Sequence, residues 1–380
     1  MTTPAIAIIG GGPCGLTLAR LLECKGIDYT VFERDASANS NRAGGSLDIH
    51  AHTGQHALRE GGLIDEFKKY ARYEDAVMSL ADKHGKKVFE MGQGRDDPEI
   101  DRAELRQILL DAVPKDKIKW GHVLQSVAVG EDKRPVIRFS NGTEISSFKL
   151  VVGADGAWSK VRSVITQATP KYSSKTYLES RIGLENPLYQ TVASNVGAGS
   201  SLAIGSGKLI VTQRQGNGSY RIYFGFEIPE NYYRDGTVNL QDIEATRRWL
   251  LTNFYADWSE EYQDFIRHAT DFRAWPLYSL ATEDMGWKSV PGFTLAGDAA
   301  HVSIPNGEGV NLAMADSLTL ANKIEEHGLE DLDKAVQEYE ADMFPRGISS
   351  ICDGKRWAEV MYSDDPQAFV KLITSLMPDE

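Results

Sequence analysis

The run Ala5-Ile6-Ala7-Ile8-Ile9, followed at once by Gly10-Gly11-Gly12-Pro13-Cys14-Gly15, constrains this chain more than any other stretch. Five apolar residues in succession read as a strand covered on both faces, as in a parallel sheet. Gly10, Gly12 and Gly15 fit the G-x-G-x-x-G spacing. The first glycine permits a tight turn, the second lets backbone N–H groups approach a pyrophosphate, and the third lets a helix pack close to the strand. That helix is expected from Leu16 to about Lys25, its positive end aimed at the phosphates. A second strand, Tyr29 to Phe32, ends at Glu33, about where a carboxylate binds a ribose hydroxyl pair. Alone, the glycine pattern is weak; between strand and helix it reads as a dinucleotide site, with an ordinary βαβ turn as the alternative. Which dinucleotide stays open at this point.

With 380 residues the chain is too long for one typical core, and two intimately packed domains are expected. A net charge of −13 argues against nucleic acid or an anionic membrane as a general partner. The three cysteines, Cys14, Cys24 and Cys352, have no metal-ligand spacing and point to a reducing compartment. Only Met1-Thr2-Thr3-Pro4 precede the first strand, leaving no room for a signal peptide, and no apolar run reaches membrane-spanning length. A soluble, cytoplasmic protein, monomer or weak dimer, is expected.

Further along, Val77 to Glu90 reads as a hairpin turning at Lys83-His84-Gly85-Lys86. Asp101 to Val113 reads as a helix, with Asp101 as its cap and Glu104 in capping-box position. Three antiparallel strands are expected over Ile118 to Val129, Val136 to Phe139 and Thr143 to Ile145, then a buried strand at Leu150-Val151-Val152. From Tyr172 to about Pro229 strands dominate, which marks a sheet-rich insertion. Helices follow at Leu240 to Phe254 and Ser259 to Ala269, a buried strand at Phe293 to Ala296, a helix at Val310 to Glu326, and a helical tail.

Three features each end a buried strand: the fingerprint, Gly153-Ala154-Asp155-Gly156 leading to Arg162, and Gly297-Asp298-Ala299-Ala300-His301. In an open parallel sheet ligands lie beyond the carboxyl ends of strands, so all three are placed to line one crevice. After the last comes Pro305-Asn306-Gly307-Glu308-Gly309-Val310-Asn311. This set, in this order, resembles the FAD-dependent aromatic hydroxylases of the p-hydroxybenzoate hydroxylase type, over nearly the whole chain. Within that family, Gly44 to Gln55 and Asp101 to Arg106 look like the tetracycline-inactivating branch.

The resemblance implies an α/β fold: a Rossmann-like FAD-binding domain (1–75, 98–168, 285–330), an inserted β-sheet substrate domain (76–97, 169–284) and C-terminal helices (331–380) bridging the two. It implies tightly bound FAD. Gly10, Gly12, Pro13, Cys14 and Gly15 would hold the pyrophosphate end and Glu33 the ribose, with Arg34 and Arg42 at the adenine end or pyrophosphate. Asp298 would bond the ribityl chain. Arg106 would contact the flavin, the alternative being a surface charge on an exposed helix face. Asp48 would lie near the flavin, and Pro305, Gly307, Gly309, Val310 and Asn311 would place N–H groups against its pyrimidine edge. Asp155 and Arg162 would organise the crevice. Tyr177, Glu179, Arg181, Ser201 and Tyr223, with Pro305 and Asn306, are the substrate-side candidates. Two departures stand out: Ile304 and Glu308 replace a proline and a glutamine common in the family loop.

The implied activity is monooxygenation of a phenolic or enolic polycyclic substrate, tetracycline or a related polyketide among the candidates, hence an antibiotic-resistance role. NAD(P)H, with NADPH first, would be the transient reductant, and O2 would react through a flavin C4a-hydroperoxide. No side chain is nominated as catalytic, because the chemistry belongs to the cofactor. His50 and His301 read as turn or core histidines, with a base role as the alternative. A flavin-free NAD dehydrogenase, a flavoprotein reductase, oxidase or halogenase, and a non-enzymatic aromatic-ligand binder remain as rivals.

Overall fold

The computed structural model describes residues 4–40, 44–74, 76–92 and 96–376. The chain opens with β1 (Ile6–Ile9), α1 (Pro13–Cys24), β2 (Tyr29–Phe32), β3 (Ser46–Asp48), α2 (Gly54–Glu60) and α3 (Ile64–Lys68). Next come β4 (Met78–Asp82), β5 (Lys87–Met91), β6 (Glu99–Asp101), α4 (Arg102–Asp111), β7 (Ile118–Lys119), β8 (Leu124–Val129), β9 (Pro135–Phe139), β10 (Glu144–Ile145), β11 (Leu150–Gly153) and α5 (Arg162–Ile165). The middle holds β12 (Lys171–Ile182), α6 (Tyr189–Val196), β13 (Ser200–Gly205), β14 (Lys208–Arg214), β15 (Tyr220–Glu227), α7 (Ile243–Asn253), α8 (Glu260–Arg267) and β16 (Arg273–Ser279). The last part is β17 (Phe293–Leu295), α9 (Asp298–His301), α10 (Gly309–His327), α11 (Leu332–Met361) and α12 (Pro366–Leu376). Two compact units result: residues 1–71, 102–171 and 278–354, and residues 72–101, 172–277 and 355–380.

The first unit is built on a parallel sheet in the order β17-β11-β1-β2-β7. Ile6, Ala7 and Ile8 are wholly buried, as an unbroken apolar run demands. Register sets Ile9 beside Gly153 and Gly153 beside Leu295, so β1, β11 and β17 finish level. The Ala154 N–H donates to Ile9 O and the Ala296 N–H to Gly153 O, both at 2.9 Å, carrying the ladder into the loops. The three sequence motifs therefore leave one edge of one sheet, side by side.

Ile118 to Val129 is not one strand. Lys119 pairs with Phe32, Gly121 turns at φ +69° with its N–H on Asp35 O, and only Leu124–Val129 joins β9. Backbone partners on the β2 edge outcompete a continuous hairpin. The expected strand is thus split between a parallel and an antiparallel sheet.

The second unit carries a seven-stranded sheet in the order β16-β12-β15-β14-β13-β4-β5. Leu178, Ile182, Ile222, Phe224 and Phe226 pack one face against Leu250, Tyr255, Phe265 and Ile266 of the α7–α8 region. Leu80, Leu202, Ile204 and Leu209 pack the other against Phe369 and Ile373 of α12. Asp101 does not act as the expected helix cap. It ends β6, and its carboxylate takes the Gly216 N–H at 3.0 Å and the Arg72 guanidinium at 3.0 Å.

Candidate functional site

At the β1 end the chain turns through Gly10 at φ +110°, a conformation that side chains avoid. A Cβ at Gly10 would meet Ala154 O at 2.3 Å, and one at Gly15 would meet Gly10 O at 2.0 Å. The turn is a cradle that only glycine permits, and α1 starts directly from it. Glu33 is 1% exposed and accepts the Gly11 N–H at 2.5 Å and the Asp35 N–H at 2.9 Å. Cys14 is buried against Ser317, and burial pushes its thiol up to about 12, which removes it as a nucleophile. Arg34 is exposed, and Arg42 lies outside the described residues.

One guanidinium ties the second and third motifs together. Arg162 donates from Nε to Ala299 O (2.8 Å), and from its two terminal nitrogens to Ala157 O (2.8 Å) and Asp298 O (3.0 Å). The Asp155 carboxylate accepts the Lys160 N–H at 2.8 Å, closing its own loop. These two residues therefore shape the strand ends. Asp298 is exposed there, although Ala299 and Ala300 beside it are fully buried.

Arg106 is 7% exposed, which rules out a surface charge. It donates to Ala38 O at 3.1 Å, pairs with Asp35 at 3.5 Å and lies over the Trp120 ring. Asn311, at the head of α10, is wholly buried. Its Oδ1 accepts the His50 N–H and its Nδ2 donates to Asp48 O, both at 2.9 Å, fastening the turn after β3 to that helix. Pro305, Gly307 and Gly309 are exposed, Val310 is half-buried, and Asn306 holds the loop by donating to Ser350 O and accepting the Glu308 N–H.

The sequence reading missed two histidine clusters in this unit. His50 Nε2 lies 2.9 Å from Asp48 Oδ2, and its Nδ1 lies 3.4 Å from Glu308 Oε1. Burial lowers the His50 pKa, but the two carboxylates outweigh it and raise the value to about 10. Deeper in, Asp316 Oδ2 lies 2.6 Å from His301 Nε2 and accepts the Gly297 N–H at 2.9 Å, while Oδ1 meets Arg346 at 3.1 Å. Burial opposes both charges, yet their mutual attraction raises His301 and lowers Asp316. One signal was available: Asp316 interrupts an otherwise small and apolar run on α10.

In the second unit, alternation along β12 puts Tyr177, Glu179 and Arg181 on one face, with Arg221 and Tyr223 of β15 on the same face. Ser201 pairs with Thr212, which pairs with Ile222, and so belongs to the opposite face. Glu179 is buried and already held by Arg221 and by the Trp275 Nε1–H at 2.7 Å. Tyr177 and Tyr223 have ring centroids 5.7 Å apart, and Tyr177 packs on the α12-side cluster.

Fold and strand-end motifs together define a flavin-dependent oxygenase of the p-hydroxybenzoate hydroxylase type. The chain belongs to the FAD binding domain family, which matches residues 2–347, and it is an FAD-dependent monooxygenase. It is 31% identical to Monooxygenase penA of Penicillium thymicola over 91% of this chain and 92% of that one. It is 26% identical to 3-amino-4-hydroxybenzoate 2-monooxygenase PtnB3 of Streptomyces platensis, covering 90% and 85%. The structure of tetracycline destructase Tet(55) shares the fold, at TM-score 0.76 and 20% identity over 99% of this chain and 96% of that one. The residues fit FAD: a turn closed to a Cβ at Gly10 and Gly15 stands at one strand end, and an exposed Asp298 at a buried one.

Proposed function

We propose that this enzyme hydroxylates a bulky, electron-rich aromatic or enolic substrate of polycyclic type, using NAD(P)H, NADPH first, and one atom of O2. The observation that carries this reading is the level finish of β1, β11 and β17, which brings three distant motifs to one sheet edge. Bound FAD supplies the redox and oxygen chemistry. The chain's own residues hold, orient and shield. The Gly10–Gly15 turn and the start of α1 would receive the pyrophosphate, Glu33 the ribose, Asp298 the ribityl chain, and Arg106 with Asp48 the flavin. The head of α10, from Gly307 to Asn311, would face developing negative charge on the ring.

The name of the Streptomyces platensis relative supports an aromatic acceptor. The larger substrate rests on the resemblance of Gly44 to Gln55 to the tetracycline-inactivating branch. On the second-unit sheet, Arg181 and Tyr223 are the side chains we assign to the substrate. Glu179, held by Arg221 and Trp275, is assigned to positioning.

The test is a screen of NADPH and NADH consumption against phenols, hydroxybenzoates, quinones and tetracyclines, with mass spectrometry of products formed under 18O2. Label in a polycyclic product is expected. Turnover of single-ring phenols alone would refute the polycyclic assignment. Reductant consumption without label in any organic product would favour a reductase.

A further inference from the structure

Glu308 is an odd residue for its place. It stands immediately before α10, a helix of 19 residues whose positive end favours negative charge. A fixed carboxylate there competes with any anionic ligand for the same field. The structure shows what answers it. His50 lies between Glu308 and Asp48, at 3.4 and 2.9 Å, and is only 21% exposed, against 42% and 45% for the two acids. Asp48, on β3, and Glu308, at the head of α10, are the charged groups that face the ring among the described residues. Asn311 fixes the histidine's backbone to the same helix end, and a Cβ on Gly307 would lie 3.7 Å from Asp48 Oδ2. The cluster therefore sits on the turn that opens α10.

We propose that His50 is a positioning residue for the flavin: bridging Asp48 and Glu308, it offsets the acidic residue heading α10 and keeps that helix end receptive to negative charge. Two-electron reduction of the flavin adds such charge, so His50 stabilises the reduced form over the oxidised one and Glu308 opposes it. The inference rests on the flavin ring lying at the head of α10, as proposed above.

The experiment measures the flavin midpoint potential of the full-length holoenzyme, with the His50 imidazole titration followed by NMR. His50→Gln is expected to lower the ratio of reduced- to oxidised-flavin affinity about tenfold, which for a two-electron couple is a fall of ~30 mV. Glu308→Gln should raise the potential and bring the His50 titration midpoint down towards the ordinary range near ~6.5. The double variant His50→Gln/Glu308→Gln should return close to the parent. An unchanged or raised potential in His50→Gln overturns the proposal. If His50→Gln does not fold, Glu308→Gln decides: a raised potential with a lowered His50 midpoint supports the proposal, and no shift refutes it. Glu308→Lys separates the two layers. If charge reversal there leaves the potential untouched, the ring placement fails and the proposal with it; if it shifts the potential while His50→Gln does not, only the role of His50 fails.

Discussion

Helix α10 takes part in two histidine–carboxylate clusters of the same chemistry and opposite setting. At its head, His50 bridges two acids that are each more than 40% exposed. In its body, Asp316 is fully buried between His301 and the partly exposed Arg346. Water screens the first cluster, so its members respond to substitution at little cost to the fold. The second has no water to fall back on, and losing one partner strands a buried charge. The inner cluster also receives the Gly297 N–H, which fixes the loop that carries Asp298. One cluster locks the strand end; the other answers to what lies beyond it.

The comparison breaks most readily at Asp316. Asp316→Ala should cost ~3–5 kcal/mol by denaturant titration, the usual result of leaving a buried charge unpaired. A loss below ~1 kcal/mol would mean that the inner cluster is no lock. Next comes pH. The folded pKa of Asp316 is lowered, so its contribution is present above the unfolded carboxyl range near ~4 and fades as pH falls through the folded value. The raised His301 contributes fully below about 6.5, and that contribution fades as pH climbs through its folded value. Stability measured from acid to alkali should therefore peak between these limits, and Asp316→Asn should flatten the acid limb. His50 follows the same sign rule, its contribution fading as pH rises through about 10. Smaller still are the rim variants. Glu308→Gln and His50→Gln should each change stability by no more than ~1 kcal/mol, with a coupling in the double-mutant cycle of the same order or less. A coupling as large as the Asp316 loss would erase the distinction between the clusters.

The elements that a sequence displays best are those with a continuous or periodic apolar signal. Ile6–Ile9, Leu150–Gly153 and Phe293–Leu295 are buried on both faces and needed no context, and their glycine-marked ends pointed to the site. Other features depend on contacts far away in the chain. His50 meets Glu308 and His301 meets Asp316 through packing, which leaves no spacing to read. Tyr189–Val196 carries a tyrosine, a threonine and two valines, residues that favour strands, yet it forms a helix, ended by Gly197 at φ +72°. Ser201 lies on a strand, but on the face opposite Tyr177 and Tyr223, which no composition could show because a face follows from pairing register. Arg106 required its partners Asp35 and Ala38 before a buried charge made sense.

The order of strands in the parallel sheet has a consequence for how the protein is made. β1 finds β2 soon after it in the chain, but its other sheet partner, β11, ends only at residue 153 and the strand beyond that, β17, at residue 295. Until then the nascent chain exposes the edge of an apolar parallel strand, the kind of long-range pairing that folds slowly and aggregates readily. Synthesis with a stall before residue 290 should therefore yield a chaperone-dependent intermediate that retains no flavin, whereas a stall beyond α10 should allow the cofactor to bind.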